Sequence, residues 1–247
     1  MIILMRIDKL LCEMNIGSRS QVKELIKKGL VCADGRVVKK PEAHVDENIV
    51  VITCQGKVYR YVPYVYYMMN KPSGVITATR DETDRTVLDV LRAELSKCGS
   101  LTGIPLKDIS PVGRLDKDTV GLLLLTNNGE LSHNLLSPKN HVPKKYFVKT
   151  DGPISDEMVQ ALENGIMIGQ KEKTLPAVIE DRNENQCMIT IMEGKYHQIK
   201  RMFHAVGRNV IYLKRLSMGT LVLDQGLSEG QVRELTKEEV DALCLKT

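Results

Sequence analysis

Asp116 sits among cations, with Arg114 two residues before it and Lys117 next to it in Gly113-Arg114-Leu115-Asp116-Lys117-Asp118. A carboxylate held between positive charges stays ionised, because neighbouring cations favour its charged form. At neutral pH such a group is a nucleophile or a base, not an acid. By itself Asp-Lys-Asp-Thr is ordinary turn chemistry, so the weight falls on what surrounds it. Val120 to Leu125 is a short apolar run closed by Asn127-Asn128-Gly129, the pattern of a strand buried on both faces. The charged residues therefore form a loop that feeds the core. A second basic stretch lies downstream: from Lys195 to Arg215 there are six Lys/Arg and no acid. Within it Ile199, Met202, Phe203 and Val206 recur at helical spacing, which puts Lys200 and Arg201 at the start of that helix's polar flanks. A third, Lys139 to Thr150, holds four lysines and His141 around Tyr146-Phe147, again without an acid. Its plain reading is an exposed strand whose aromatics face the core, and for Phe147 that reading is preferred.

The elements that must position these groups follow from pattern. Val65 to Asn70 is strand-like, and Asn70-Lys71-Pro72-Ser73-Gly74 is a turn leading into Val75-Ile76-Thr77. Thr86 to Leu95 is an amphipathic helix with Val87, Val90 and Leu91 inward, and residues 97–107 form a loop. Glu130 to Ser137 is a short helix stopped by Pro138, Asp156 to Gly165 another, and Met188 to Ile191 alternates as a strand. The tail has Thr236 and Glu239 at capping-box spacing and reads as structural.

Charge divides the chain. The net +4 is carried entirely by residues 1–60, with 11 Lys/Arg against 7 Asp/Glu, while the remainder holds 24 of each. A basic small module joined to a neutral large one points to a polyanionic partner for the first. In that module Asp8 to Asn15 is a helix burying Leu10, Leu11 and Met14. Ser18 and Gln21 make a capping box for a second helix, whose Arg19, Lys23 and Lys27 line up every four residues, with Lys28 beside them. Such a row matches phosphates better than scattered charge does. Asp34-Gly35 between short apolar runs signals a type I′ hairpin, Asn48 to Thr53 is a further strand, and 55–63 is the expected linker.

No apolar run approaches the roughly 20 residues of a membrane span. Met1 to Leu4 has no charged leader or cleavage site, so a secretory signal is not expected; the start is Met1 or Met5, and a cytoplasmic location is expected. The six cysteines form no C-x-x-C pair and read as reduced thiols. His197 has no partner at ligand spacing, so no metal is expected there.

The words in combination resemble a known family. Gly-Arg-Leu-Asp, Thr119, Gly-Leu-Leu-Leu-Leu-Thr-Asn and Gly129 are similar to the catalytic motif of pseudouridine synthases, in the RsuA branch, with Asn128 where that motif is expected to carry Asp. N-K-P-S-G resembles the opening of the synthase domain, K-K-Y its second motif, and E-G-K-Y-H-Q-I-K-R-M its third. K-Y-H-Q is the RsuA wording, where enzymes acting on large-subunit RNA usually read R-N-R. R-x-D-K-L-L, S-R and L-I-x-x-G-x-V, over about residues 5–55, resemble the S4 RNA-binding module.

The resemblance implies an α+β protein: an S4 domain over 1–58, then over 59–247 a synthase domain with a long mixed, mainly antiparallel sheet and flanking helices. It implies isomerisation of a specific uridine to pseudouridine in ribosomal RNA without any cofactor. The RsuA wording implies the small subunit, at uridine 516 of 16S rRNA. Asp116 would be the nucleophile or base, Tyr146 would stack on a flipped base, and Lys200 would hold Asp116 charged and oriented. Arg114 would fill the vacated stack; Lys145, Lys195, His197, Gln198 and Arg201 would join the S4 row as RNA contacts. The expected partner is rRNA within an assembling small-subunit particle, bound by a monomer. Alternatives are a large-subunit synthase, a non-catalytic S4-type assembly protein, and an RNA N-glycosidase or nuclease. An intact Asp116, Tyr146 and Lys200 speaks against the non-catalytic reading.

Overall fold

A computed structural model of the chain describes residues 4–97 and 108–245. Met1 to Ile3, which bear on the start and the leader, lie outside them, as does nearly all of the loop expected over 97–107. The chain divides into two compact units, one of residues 4–65 with 92–97 and 108–109, the other of 66–91 with 110–245.

In the first unit, helices Ile7–Glu13 and Arg19–Lys27 form as the apolar spacing requires. Leu10, Leu11, Met14 and Val22 are fully buried in one cluster with Val31, Ile52 and Cys54. The Ser18 hydroxyl accepts from Gln21 N while the Gln21 side chain accepts from Ser18 N, so the expected capping box is present. Asp34 and Gly35 both take positive φ, 47° and 76°, which is the type I′ turn joining strands Val31–Ala33 and Arg36–Val37. One expectation fails. Residues 55–63 do not form a plain linker, because Lys57–Arg60 pairs antiparallel with Val51–Cys54 through a turn at Gln55-Gly56. It is a solvent-facing edge strand and therefore has no apolar period to read.

The second unit is built on a mixed sheet, which among the described residues has nine strands and is antiparallel except at one seam. Seven run in order across it, Val178–Asn183, Gln186–Ile191, Lys144–Thr150, Val210–Met218, Val120–Thr126, Tyr66–Lys71 and Val232–Glu234, while the short Leu221–Val222 and Ser110–Pro111 pair off this path with Val210–Met218 and Val120–Thr126. Val120–Thr126 is buried at every position, as its unbroken apolar run requires, and it pairs in parallel with Val210–Met218. Gly121 makes that seam possible. Its φ is +100°, and a Cβ there would collide with the Arg215 carbonyl oxygen. Helix Gly129–Leu136 follows at once, capped by Asn128, whose Oδ1 accepts from Leu131 N at 3.0 Å. The amide in place of the expected carboxylate has its own use, since Asn128 Nδ2 donates to the Tyr66 hydroxyl. The tail contributes the edge strand Val232–Glu234 and helix Lys237–Cys244, with the capping box at Thr236 and Glu239 formed.

Candidate active site

Asp116 lies in the loop before Val120–Thr126, and contacts from the segment around 71–77 fix that loop. Thr77 Oγ1 donates to Leu115 O at 2.7 Å and accepts from Leu115 N at 3.1 Å. Gly74 N donates to Lys117 O at 2.8 Å. Lys71 is fully buried, and its ammonium donates to the carbonyls of Pro72, Lys117 and Thr119. Burial pushes the Lys71 pKa down to about 8, against the pull of Asp118 and Asp116. The Asn-Lys-Pro-Ser-Gly turn is therefore a clamp on the Asp116 loop, not merely a change of chain direction.

Across the cleft, helix Gln198–Ala205 buries Ile199, Met202 and Phe203 and projects Lys200 toward the loop. Lys200 Nζ lies 3.1 Å from Asp116 Oδ2 and 2.6 Å from Asp118 Oδ1. The expected pairing is thus present but shared. Burial lowers the Lys200 pKa, but the hydrogen bonds and charges of Asp118 and Asp116 outweigh it and leave it above the usual lysine range. Burial likewise raises Asp118, yet Lys200 holds it below the usual carboxylate range. His197 Nε2 approaches Asp116 Oδ1 at 3.4 Å from a left-handed backbone (φ 47°), its ring stacked on the exposed Tyr196 at 3.8 Å. A strained non-glycine residue beside a candidate carboxylate fits a functional position.

One cleft collects most of these groups: Arg114, Asp116, Lys144, Tyr146, Lys195, His197, Gln198, Lys200 and Arg215 all line it. Arg114 is exposed at its rim, while Tyr146 is only 7 % exposed. Tyr146 and Phe147 point to opposite sides, because side chains alternate along a strand. Phe147 does not face the core as expected: it packs edge-on against Tyr212 at 6.1 Å, with the Lys149 ammonium 5.7 Å from its ring. The same alternation turns Lys145 away from the cleft, where it pairs with Glu180 at 2.8 Å. Lys144 lines the cleft in its place, and its spacing of two from Tyr146 was the available signal.

Three other expected RNA contacts have their polar atoms engaged within the protein. Gln198 is buried, its carbonyl accepting from Lys195 N and its amide donating to Glu193 Oε1. Lys195 Nζ bonds Glu193 and the Lys173 carbonyl. Arg201 donates to Ile168 O and pairs with Glu172 at 2.7 Å. Lys195 and Gln198 line the cleft, whereas Arg201 is not among its lining residues. In the first unit Arg19, Lys23, Lys27 and Lys28 are all exposed, with Lys28 near Glu24 at 3.6 Å and Lys23 and Lys27 beside a shallow groove. Among the described residues no cluster of three or more His, Cys, Asp and Glu could hold a metal ion.

Comparison with known proteins agrees with this geometry. Residues 65–205 match the RNA pseudouridylate synthase family, and residues 5–51 match the S4 domain. The chain is 46 % identical to the "Uncharacterized RNA pseudouridine synthase YtzG" of Bacillus subtilis, over 97 % of this chain and 98 % of that protein. It is 38 % identical to the "Ribosomal small subunit pseudouridine synthase A" of Vibrio cholerae, over 97 % and 99 %. A crystal structure of a pseudouridylate synthase superposes with a TM-score of 0.65 at 34 % identity, covering 97 % of this chain and 99 % of that one. These matches cover both the unit that carries the cleft and the module ahead of it, and the chain belongs to the RNA pseudouridine synthase family.

Proposed function

We propose that this protein isomerises one uridine of small-subunit 16S rRNA to pseudouridine in the cytoplasm, at the position equivalent to uridine 516. The observation that carries the reading is the Asp116 carboxylate held 3.1 Å from Lys200 Nζ in the cleft that Tyr146 lines. The small-subunit choice is supported by the Lys195-Tyr196-His197-Gln198 sequence at the rim and by relatives named for that subunit. The reaction breaks uridine's C1′–N1 bond, turns the base and rejoins it through C5; the C5 hydrogen is lost and N1 gains one. A stacked base cannot reach Asp116, so it must be flipped out, at a cost of a few kcal/mol. Tyr146 receives it, Arg114 fills the gap, and Lys200 orients Asp116. The substrate is bound by a monomer, within an assembling small-subunit particle.

The test is pseudouridine mapping of both rRNAs from cells with and without the protein. Loss of a single 16S pseudouridine is expected. Loss confined to 23S rRNA would move the substrate to the large subunit, and loss in neither would overturn the ribosomal assignment. Release of free uracil by the purified chain would mark a glycosidase instead.

The basic row of the S4 unit is assigned to phosphate binding. Replacing Arg19, Lys23, Lys27 and Lys28 together by Gln should weaken RNA binding and flatten the slope of log K against log salt by about 3, at roughly 0.7 for each phosphate no longer neutralised. Turnover at saturating RNA should hold. An unchanged slope would assign that face to a different partner.

A further inference from the structure

Two side chains lining the Asp116 cleft are buried cations with no ion pair among the described residues. Arg215 is 2 % exposed, and its only side-chain hydrogen bond among the described residues runs from Nε to the Leu122 carbonyl at 2.7 Å, leaving Nη2 buried and unpartnered. Lys144 is 9 % exposed and donates to Val142 O at 3.0 Å. A third group, Thr119 Oγ1, is buried and unpartnered in the same cleft. Burying charge without a partner is costly, and an orphaned donor in a native fold asks for an explanation. The register of the sheet puts these groups together: Arg215 stands opposite Tyr146 in the antiparallel pairing and beside Gly121 in the parallel one, and Lys144 is two residues before Tyr146 on the same face.

Given the isomerase reading above, we propose that Arg215 and Lys144 form the base-recognition end of the cleft, donating to the carbonyl oxygens of the flipped target uracil and stabilising the negative charge that the base acquires during the reaction. The chemistry demands such donors whichever first step operates. Attack of Asp116 on C1′ sends the C1′–N1 electron pair into the base, and deprotonation of the sugar with loss of the base does the same. Addition of the carboxylate to C6 pushes the C5–C6 π pair toward O4. In all three the charge settles on the ring and its carbonyl oxygens and is discharged when C5 bonds to C1′; the C5 proton then leaves as N1 gains one. Preorganised cationic donors in a water-poor site are the strongest means of holding such charge. They also select for uracil, because cytosine presents an amino group where uracil has O4, and a donor facing a donor leaves both unpaired.

The test uses full-length protein and an RNA fragment containing the mapped uridine, either unmodified or carrying 2-thiouridine or 4-thiouridine there, since sulfur accepts hydrogen bonds poorly. Single-turnover rates and RNA affinity are measured for wild type, Lys144→Met and Arg215→Lys, with thermal melts to establish folding. Each variant should lose about 10²-fold in rate, the effect of removing one charge-stabilising donor, with RNA affinity nearly unchanged. At least one thio substitution should slow wild type by tenfold or more and slow the matching variant less than twofold. Such non-additivity is the signature of direct contact, and a purely structural role would not produce it. Should Arg215→Lys fail to fold, Lys144→Met with the two thio substrates decides the proposal alone. Undiminished thio penalties in the folded variants, or wild-type rates, would overturn it while leaving the isomerase reading intact. Failure of wild type to convert the unmodified fragment, both free and assembled with small-subunit proteins, would overturn both.

Discussion

Asp116→Asn should abolish isomerisation while RNA binding and folding survive. The substitution keeps size and shape in a loop whose position is set by others: Thr77 at Leu115, and Lys71 and Gly74 at the Lys117 carbonyl. None of those hydrogen bonds uses the Asp116 side chain. An amide is a poor nucleophile and a poor base, so loss of the group that begins the chemistry should lower turnover on the order of 10⁴-fold or more. RNA affinity should stay near wild type, because phosphate contacts elsewhere set it. The measurement is a single-turnover rate with excess enzyme, beside an equilibrium binding isotherm. A rate within tenfold of wild type would remove Asp116 from the chemistry and send attention to Asp118, the other carboxylate on Lys200.

What could be read from the sequence was what is written locally. The buried strand Val120–Thr126, the type I′ turn at Asp34-Gly35 and both capping boxes are encoded in neighbouring residues, and all are present. The pairing of Lys200 with Asp116 spans 84 positions and came from resemblance, not from spacing. That Lys200 is divided between two carboxylates could not be read at all, because it depends on where one helix end meets one loop. Lys144 and Arg215 were hidden for a different reason. Both sit in stretches rich in lysine, and charge in a sequence reads as surface until the register shows which residues turn inward. Lys71 was concealed by its Pro-Ser-Gly neighbours, which explain a turn so fully that nothing prompts a search for a buried ammonium.

The shared lysine supplies the last test. Lys200→Met removes the charge but keeps most of the aliphatic stem and its packing. Asp118 is held below the usual carboxylate range by Lys200 against the opposing effect of burial, so it loses that support. Asp116 likewise loses the ammonium 3.1 Å from its Oδ2, and a carboxylate deprived of a neighbouring cation takes up a proton more readily. The acidic limb of the rate–pH profile should therefore move to higher pH. Turnover should fall about 10²–10³-fold, with a smaller change in KM, because the interaction removed acts on the reacting group and not on RNA docking. Lys200→Arg keeps the charge in a different geometry and should retain more activity than Met. Asp118→Asn separates the two partners. Its side chain is 70 % exposed, so its ion pair is largely screened and its loss should cost little. With that competitor gone, Lys200 remains beside Asp116, and turnover should stay within about threefold of wild type, since an exposed pair is worth under about 1 kcal/mol. A Lys200→Met enzyme with normal turnover and an unshifted profile would refute the pairing, leaving His197, 3.4 Å from Asp116, as the side chain that orients it.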